Sequence, residues 1–342
     1  MSKKEHYKIA VVGATGAVGE TLLSILAERN FPISELVPLA SERSAGSRVA
    51  FRDKQLVVRD LDQYDFAGTD IALFSAGGSV SAKHAPRAAA AGCVVIDNTS
   101  QFRYDDEIPL VVSEVNPHAI ARHTKRGIIA NPNCSTMQML VALAPIQREA
   151  GISRINVATY QSVSGAGRTG LEELGRQTAD MLNFRNVTPK KFQAQIAFNL
   201  IPQIDDFQPN GYTKEEMKMV WETRKIFEDE TIQVNPTAVR VPVFYGHSEA
   251  VHLETHRPIT IERVRELLEA APGVSVVDEH KPGGYPTPVT HAAGKDPVFV
   301  GRIRKDISHP NGIDLWIVSD NIRKGAALNA VQIAELLVRD YL

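Results

Sequence analysis

The 342-residue sequence predicts an α/β fold in two parts, a doubly wound parallel sheet followed by a second, α+β domain. Three observations carry this expectation. Strand-like and helix-like stretches alternate through the first third, as in a parallel sheet with crossover helices. After Cys134 the apolar runs become long, β-branched and alternating, which suits a mixed or antiparallel sheet. The length itself favours two domains over one. The expected division is 1–133 plus 321–342 against 134–320.

The run YKIAVVG reads as the first strand, and a helix should follow from about Val18 to Arg29. ELVPLA makes a second strand with a polar loop behind it. DIALFSA makes a third, followed by a helix over Ala82 to Ala91, and CVVIDN leads into more loop. IIANPNCSTMQMLVAL then passes from a β-like run into a helical one, with apolar Met139, Leu140, Leu143 and Ile146 and a stop before Gly151. Beyond it, RINVATYQSVSG, TAVRVPVFYGHSEAVHLETH, PVFVGRIRKD and GIDLWIVSDN read as strands with few helices between them. The closing NIRKGAALNAVQIAELLVRDYL is helical and should pack back on the first domain.

Composition narrows the function. With 43% apolar and 23% charged residues and a net charge of −2, the chain has no Lys/Arg block, so neither nucleic acid nor a membrane surface is an expected partner. A small polar substrate remains. Two cysteines cannot make a disulfide framework, and MSKKEHYKIAVVG carries no signal-peptide pattern, so a cytoplasmic address is expected. No apolar run approaches the roughly 18 residues of a membrane span. No internal repeat or low-complexity tract is present.

In VVGATGAVGE, Gly13, Gly16 and Gly19 follow a strand and open a helix. That context lets a pyrophosphate approach the backbone and sit on the helix N-terminus, as in Rossmann-like domains. The spacing is GxxGxxG rather than GxGxxG, and a tight turn would use glycine for steric reasons too. The second strand ends in PLASERSAGS, where Ser41, Arg43 and Ser44 offer donors to a 2′-phosphate and point to NADP. Glu42 speaks for the 2′-hydroxyl of NAD, and a solvated polar loop would look the same.

Cys134 stands where the helix should begin, a position that stabilises a thiolate and offers backbone N–H groups to an oxyanion. Cys93 opens the apolar run CVVID and reads as a core thiol. A thiolate beside a nicotinamide site implies aldehyde chemistry with a thioester intermediate, and a base must take the thiol proton. Of the ten histidines, His247 follows a strand and a glycine turn and is the candidate. His6, His84, His118, His123, His280 and His309 read as surface residues. His252, Glu254 and His256 alternate along HLETH and could ligate a metal, but a solvent-facing strand explains them, and no metal is expected.

Taken in order, GATGAVG, SERSAG, NTSQFRYD, NPNCSTMQM, YQSVSGAG, EEMKMVWETRKI, RVPVFYGHSEAV and DNIRKGAALNAVQIAE resemble the bacterial type of the aspartate-β-semialdehyde dehydrogenases over nearly the full chain. The resemblance implies that Cys134 is the nucleophile, His247 the acid/base and Gln161 the residue that positions the reacting group. It assigns Arg240 to the substrate carboxylate, Glu215 to its ammonium, and Arg103 with Lys218 to phosphate. Asn133 and Gly165 would make oxyanion or substrate contacts. An ordinary surface ion pair would explain Glu215 and Lys218, and a loop salt bridge to Asp105 or Asp106 would explain Arg103.

For NADP the resemblance implies Gly13, Thr15, Gly16, Ala17, Val18 and Gly19, then Ser41, Arg43 and Ser44. Ser75, Gly77 and Gly78 would lie near the nicotinamide, with Asn321, Gly325 and Ala326 from the C-terminal segment. The implied reaction is reductive dephosphorylation of L-4-aspartyl phosphate to aspartate semialdehyde, with phosphate as the other product, in lysine (through diaminopimelate), threonine and methionine biosynthesis. A homodimer or homotetramer through the second, catalytic and dimerisation domain is implied as well. Another acyl-phosphate or acyl-thioester reductase would keep Cys134 and His247 and change the substrate contacts. A silent NADP-binding paralogue would lose the nucleophile.

Overall fold

The computed structural model describes residues 4–342, and the expected first domain therefore begins at residues that lie outside the description. The chain forms two compact units. One holds the residues up to Asn133 together with Ala326–Leu342, and the other holds Cys134–Gly325.

In the first unit the strands are β1 (Tyr7–Val12), β2 (Ile33–Ala40), a hairpin of β3 (Arg48–Phe51) and β4 (Lys54–Val57), the short β5 (Arg59–Asp60), β6 (Ile71–Phe74), β7 (Val94–Asp97) and β8 (Ile128–Ala130). Six of them make a parallel sheet in the order β5-β2-β1-β6-β7-β8, doubly wound as expected. Helices α1 (Ala17–Glu28) and α2 (Gly78–Ala90) connect the strands. The C-terminal helix, Leu328–Asp340, puts Leu328, Val331, Ala334 and Leu337 into the same apolar core as Leu22, Ile25 and Leu26 of α1. Near-continuous burial of β1, β6 and β7 is what a sheet covered on both faces requires.

The second unit begins with α3 (Cys134–Ala150) and holds one six-stranded mixed sheet in the order β10-β9-β11-β14-β13-β12. Its strands are β9 (Ile152–Gln161), β10 (Gln233–Arg240), β11 (His247–Thr255), β12 (Val274–Val276), β13 (Val298–Lys305) and β14 (Gly312–Ser319). Three further helices, α4 (Arg168–Leu182), α5 (Lys214–Phe227) and α6 (Ile261–Ala270), correct the expectation of few helices here. The capping box of Thr213 and Glu216 starts α5, each side chain bonding the other's backbone N–H.

Residues 321–325 group with the second unit, later than the expected return at Asn321. The Asp320 carboxylate holds them there by accepting the N–H groups of Ile322, Arg323 and Gly294. Two histidines expected at the surface are buried. His84 packs in α2 against Arg87, and His123 closes on the Ile120 carbonyl.

Candidate active site

The second-unit site is a single row of side chains across the sheet. Arg240 on β10 pairs in register with Gln161 on β9. Since Ser248 of β11 pairs with Tyr160, the next step of that ladder sets His247 beside Gln161, and His247 in turn pairs with Ser319 on β14. Side chains alternate faces along a strand, so these four share one face, at the end of the sheet where β9 and β10 finish and β11 starts. The row behind it, Ala238, Thr159, Glu249 and Ile317, is buried beneath.

Cys134 is the first residue of α3, in a first turn without an acidic side chain, so the positive end of the helix is not offset by a carboxylate. From Asn131 to Ala144 it is the one residue that is not buried. Gly325 lies so close that a Cβ there would stand 2.7 Å from the Cys134 Cβ and 3.6 Å from that of Asn321. Gly165 plays the corresponding part opposite: exposed itself, it would put a Cβ 2.9 Å from Arg240 Nη1 and 3.3 Å from His247 Nε2. Gly325 needs to be a residue without a side chain, and a side chain at Gly165 would displace the Arg240 guanidinium.

The charged groups form a linked set. Gln161 Nε2 donates to Glu215 Oε1 at 3.2 Å, and Lys218 Nζ donates to Glu215 Oε2 at 2.8 Å and Asp205 Oδ2 at 2.9 Å. Burial alone would lower the Lys218 pKa, but the two carboxylates outweigh it and hold the ammonium above its ordinary range. This is more than an exposed i,i+3 pair, because Glu215 is buried and shared with Gln161. Arg240 Nη1 donates to the Ser162 carbonyl at 2.8 Å, and the guanidinium senses both Glu215 and Cys134.

His247 is fully buried. Its Nδ1 accepts the Ser162 backbone N–H at 3.1 Å and lies 3.0 Å from Ser162 Oγ. Burial first, and the Arg240 charge second, lower its pKa to about 3, against the opposing pull of Glu215. Asn321 Oδ1 accepts from Ser162 Oγ, Ser164 Oγ and Gly246 N–H, each at 3.0 Å. Ser162 and Ser164 belong to this hydrogen-bonded set, and sequence reasoning did not single them out. No local pattern marks them, since the partner they share lies more than 150 residues away.

The remaining sequence-predicted residues lie in the first unit. Gly13 takes φ +85°, and a Cβ on Gly19 would stand 2.1 Å from the Gly13 carbonyl oxygen, so glycine is required for the helix to approach the turn. Gly16 is the N-cap of α1 and contributes no side chain; Thr15 is half-buried just before it, and Ala17 and Val18 open the helix. Bare backbone at a helix N-terminus after β1 fits a pyrophosphate. Ser41 and Arg43 are exposed and Ser44 half-buried on a short turn at the carboxyl end of β2, which fits a ribose phosphate. Ser75 donates both its N–H and its hydroxyl to the Val12 carbonyl, and Gly77 (φ +101°) caps α2 ahead of Gly78. Arg103 is buried, with Nε on the Asn131 carbonyl and Nη2 on that of Asn98. Asn133 is buried immediately before Cys134, and Ala326 accepts from Asn131.

His252 makes contacts of 3.2–3.6 Å with Asp314, Asp306 and Glu254, and a register shift at Thr255 takes His256 out of the strand. Among the described residues no cluster is able to hold a metal, and no helix is long and apolar enough to cross a membrane.

Two family models match. One, described as the semialdehyde dehydrogenase NAD binding domain, covers residues 8–123, and the semialdehyde dehydrogenase dimerisation domain covers 143–324. An aspartate-semialdehyde dehydrogenase of Legionella pneumophila is 64% identical over 98% of this chain and 97% of its own. A crystal structure of aspartate semialdehyde dehydrogenase II from Vibrio cholerae, complexed with ASA, is 61% identical, with a TM-score of 0.97 over 99% of this chain and all of the other. An aspartate semialdehyde dehydrogenase with NADP from Candida albicans is similar at 25% identity and a TM-score of 0.76, over 97% of this chain and 98% of the other.

Proposed function

The chain belongs to the aspartate-semialdehyde dehydrogenase family, and from that premise we propose that it converts L-4-aspartyl phosphate, NADPH and a proton reversibly into L-aspartate 4-semialdehyde, NADP and phosphate. This is amino-acid biosynthesis of the aspartate family, serving lysine, threonine and methionine. The observation that carries the reading is the row Arg240, Gln161, His247, linked through Ser162, Asn321 and Gly325 to Cys134 at its helix N-terminus.

The thiolate of Cys134, favoured by the start of α3, attacks the acyl carbon and expels phosphate to leave a thioester. Arg240 grips the substrate carboxylate with a planar fork already fixed at one corner by Ser162. Glu215, its carboxylate held by the Gln161 amide, takes the substrate ammonium, Gln161 positions the reacting group, and Lys218 and Arg103 are each assigned to phosphate. His247 serves as the acid/base, and Asn133 and Gly165 are assigned to oxyanion or substrate contacts. NADP, held by the Gly13–Gly19 turn, by Ser41, Arg43 and Ser44, by the Ser75–Gly78 segment and by Asn321, Gly325 and Ala326, supplies hydride chemistry when bound. The fit rests on the bare glycine turn and on exposed donors after β2. A catalytic thiol suits a reducing cytoplasm.

Purified protein should reduce NADP with aspartate semialdehyde only when phosphate is present, and Cys134→Ala should abolish turnover. Full activity in that variant would exclude the covalent route. Activity with an acyl-CoA and none with aspartate semialdehyde would favour another reductase.

A further inference from the structure

Two backbone carbonyls hold Arg103, and both belong to asparagines. Its Nε donates to the Asn131 carbonyl at 2.9 Å and its Nη2 to the Asn98 carbonyl at 2.8 Å, so one edge of the guanidinium is fixed just past the carboxyl ends of β7 and β8. That is the end of a parallel sheet at which ligands bind. The side chains of the same two asparagines are joined as well, with Asn131 Nδ2 donating to Asn98 Oδ1 at 2.7 Å. Asn131 Oδ1 accepts in turn from Nδ2 of Asn329, in the first turn of the C-terminal helix, at 2.6 Å.

Backbone groups of fixed polarity orient this chain of amides. Asn329 Oδ1 accepts the Ser113 N–H at 3.1 Å, and its Nδ2 donates to the Val111 carbonyl at 2.9 Å, so the amide has one possible orientation. It therefore meets Asn131 as a donor, and Asn131 must turn Oδ1 towards it. Asn131 Nδ2 then faces the Ala326 carbonyl at 3.1 Å as well as Asn98 Oδ1, and Asn98 Nδ2 faces the Phe74 carbonyl at 2.9 Å. Asn131, Asn329 and Arg103 are all buried, so a bond lost here leaves a polar group without its partner.

We propose that Asn329 is a positioning residue for the phosphate contact: through Asn131 and Asn98 it fixes the two carbonyls that aim the Arg103 guanidinium. The proposal rests on the assignment of Arg103 to phosphate. An arginine recognises phosphate through a planar fork, whose geometry and not charge alone selects the anion. The ladder between β7 and β8 ends with the Asn131 N–H on the Asp97 carbonyl at 2.8 Å, and beyond that point the amides set the spacing of the two chains.

The test is steady-state kinetics of the full-length enzyme in the direction that consumes phosphate, at saturating NADP. Asn329→Ala should raise the Michaelis constant for phosphate roughly three- to tenfold, the worth of one neutral hydrogen bond, and leave that for aspartate semialdehyde within about twofold. A merely structural loss would lower kcat through the fraction of folded enzyme and move neither constant. An unchanged constant for phosphate, or an equal rise for both substrates, would overturn the proposal. A double-mutant cycle reads the route through Arg103: in an Arg103→Ala background Asn329→Ala should add nothing further, and additive rises would mean that Asn329 acts elsewhere. Should Asn329→Ala fail to fold, Asn98→Ala, at a half-buried position, deletes an amide and keeps the carbonyl on Arg103, and it should give the same split between the two constants. No split there would count equally against the proposal. Arg103→Ala with an unchanged constant for phosphate would remove the phosphate assignment and the proposal with it, whereas a rise in Arg103→Ala alone would keep that assignment and strike Asn329.

Discussion

Cys93 and Cys134 share a side chain and differ in surroundings. Cys93 is 1% exposed, and burial pushes its pKa far above the usual thiol range, whereas Cys134 is half-buried at a helix start. That contrast was legible in the sequence, because CVVID is a strand pattern and NPNCST opens a helix. The acceptor role of Nδ1 in His247 was not, since it depends on a backbone N–H delivered by a neighbouring strand. Two predictions belong at this scale. Arg240→Leu should raise the Michaelis constant for aspartate semialdehyde roughly ten- to hundredfold, because a charge-assisted contact is worth about 1.5–3 kcal/mol. An unchanged constant would move the carboxylate site elsewhere. Arg43→Ala should weaken NADP binding and leave NAD binding nearly untouched, because the lost contact is made only to the 2′-phosphate. Titration with both cofactors checks it, and equal losses would give the selectivity to another residue, with Glu42 beside it pulling towards NAD.

Among elements, the strands β1, β6, β7 and β9 and the start of α3 follow directly from apolar periodicity. The helices of the second unit were harder to read. Gly170 and Gly175 dilute the pattern of α4, and the charged KEEMKMVWETRKIF of α5 hides the apolar stripe of Met219, Val220 and Ile226. Nothing in the alternation of β11 announced that Glu249 would face the core. Neither of its carboxylate oxygens has a hydrogen-bond partner, and Gln138, one turn after Cys134, is the polar side chain that acts on it. Burial drives its pKa well above the ordinary carboxylate value, with Gln138 opposing. The sign follows from linkage: the folded state holds the proton more tightly than the unfolded chain, so stability is complete below the unfolded pKa and is lost as pH rises towards the folded one. Glu249→Gln, a neutral isostere, should therefore be more stable than wild type at pH 8, where the unfolded wild-type chain releases a proton that the folded state holds. The gap should close near pH 4. Denaturant melts at both pH values measure it, and a gap that widened on acidification would contradict a protonated Glu249.

For the molecule as a whole, the second sheet presents two unlike faces. The face that carries Arg240, Gln161 and His247 is packed by α3, but on the opposite face Thr237, Ala158, Ala250 and Trp316 form a row across four strands in which Thr237 and Ala250 are exposed. Small side chains flanked by the Tyr160–Trp316 ring pair suit close approach of a flat partner. This unit matches the family's dimerisation domain, and a twofold dimer would set the same patch against itself. The enzyme should therefore sediment as a dimer of 37.5 kDa chains, and Ala250→Arg, which places a charge and a long side chain on the patch, should shift it to monomer. Because Ala250 faces away from His247 and Glu249 on its own strand, the substitution should leave Cys134 alkylation intact even where the dimer is lost. Analytical ultracentrifugation of both proteins decides it: an Ala250→Arg protein that remained a dimer would place the interface on another surface, and a monomeric wild type would remove the dimer altogether.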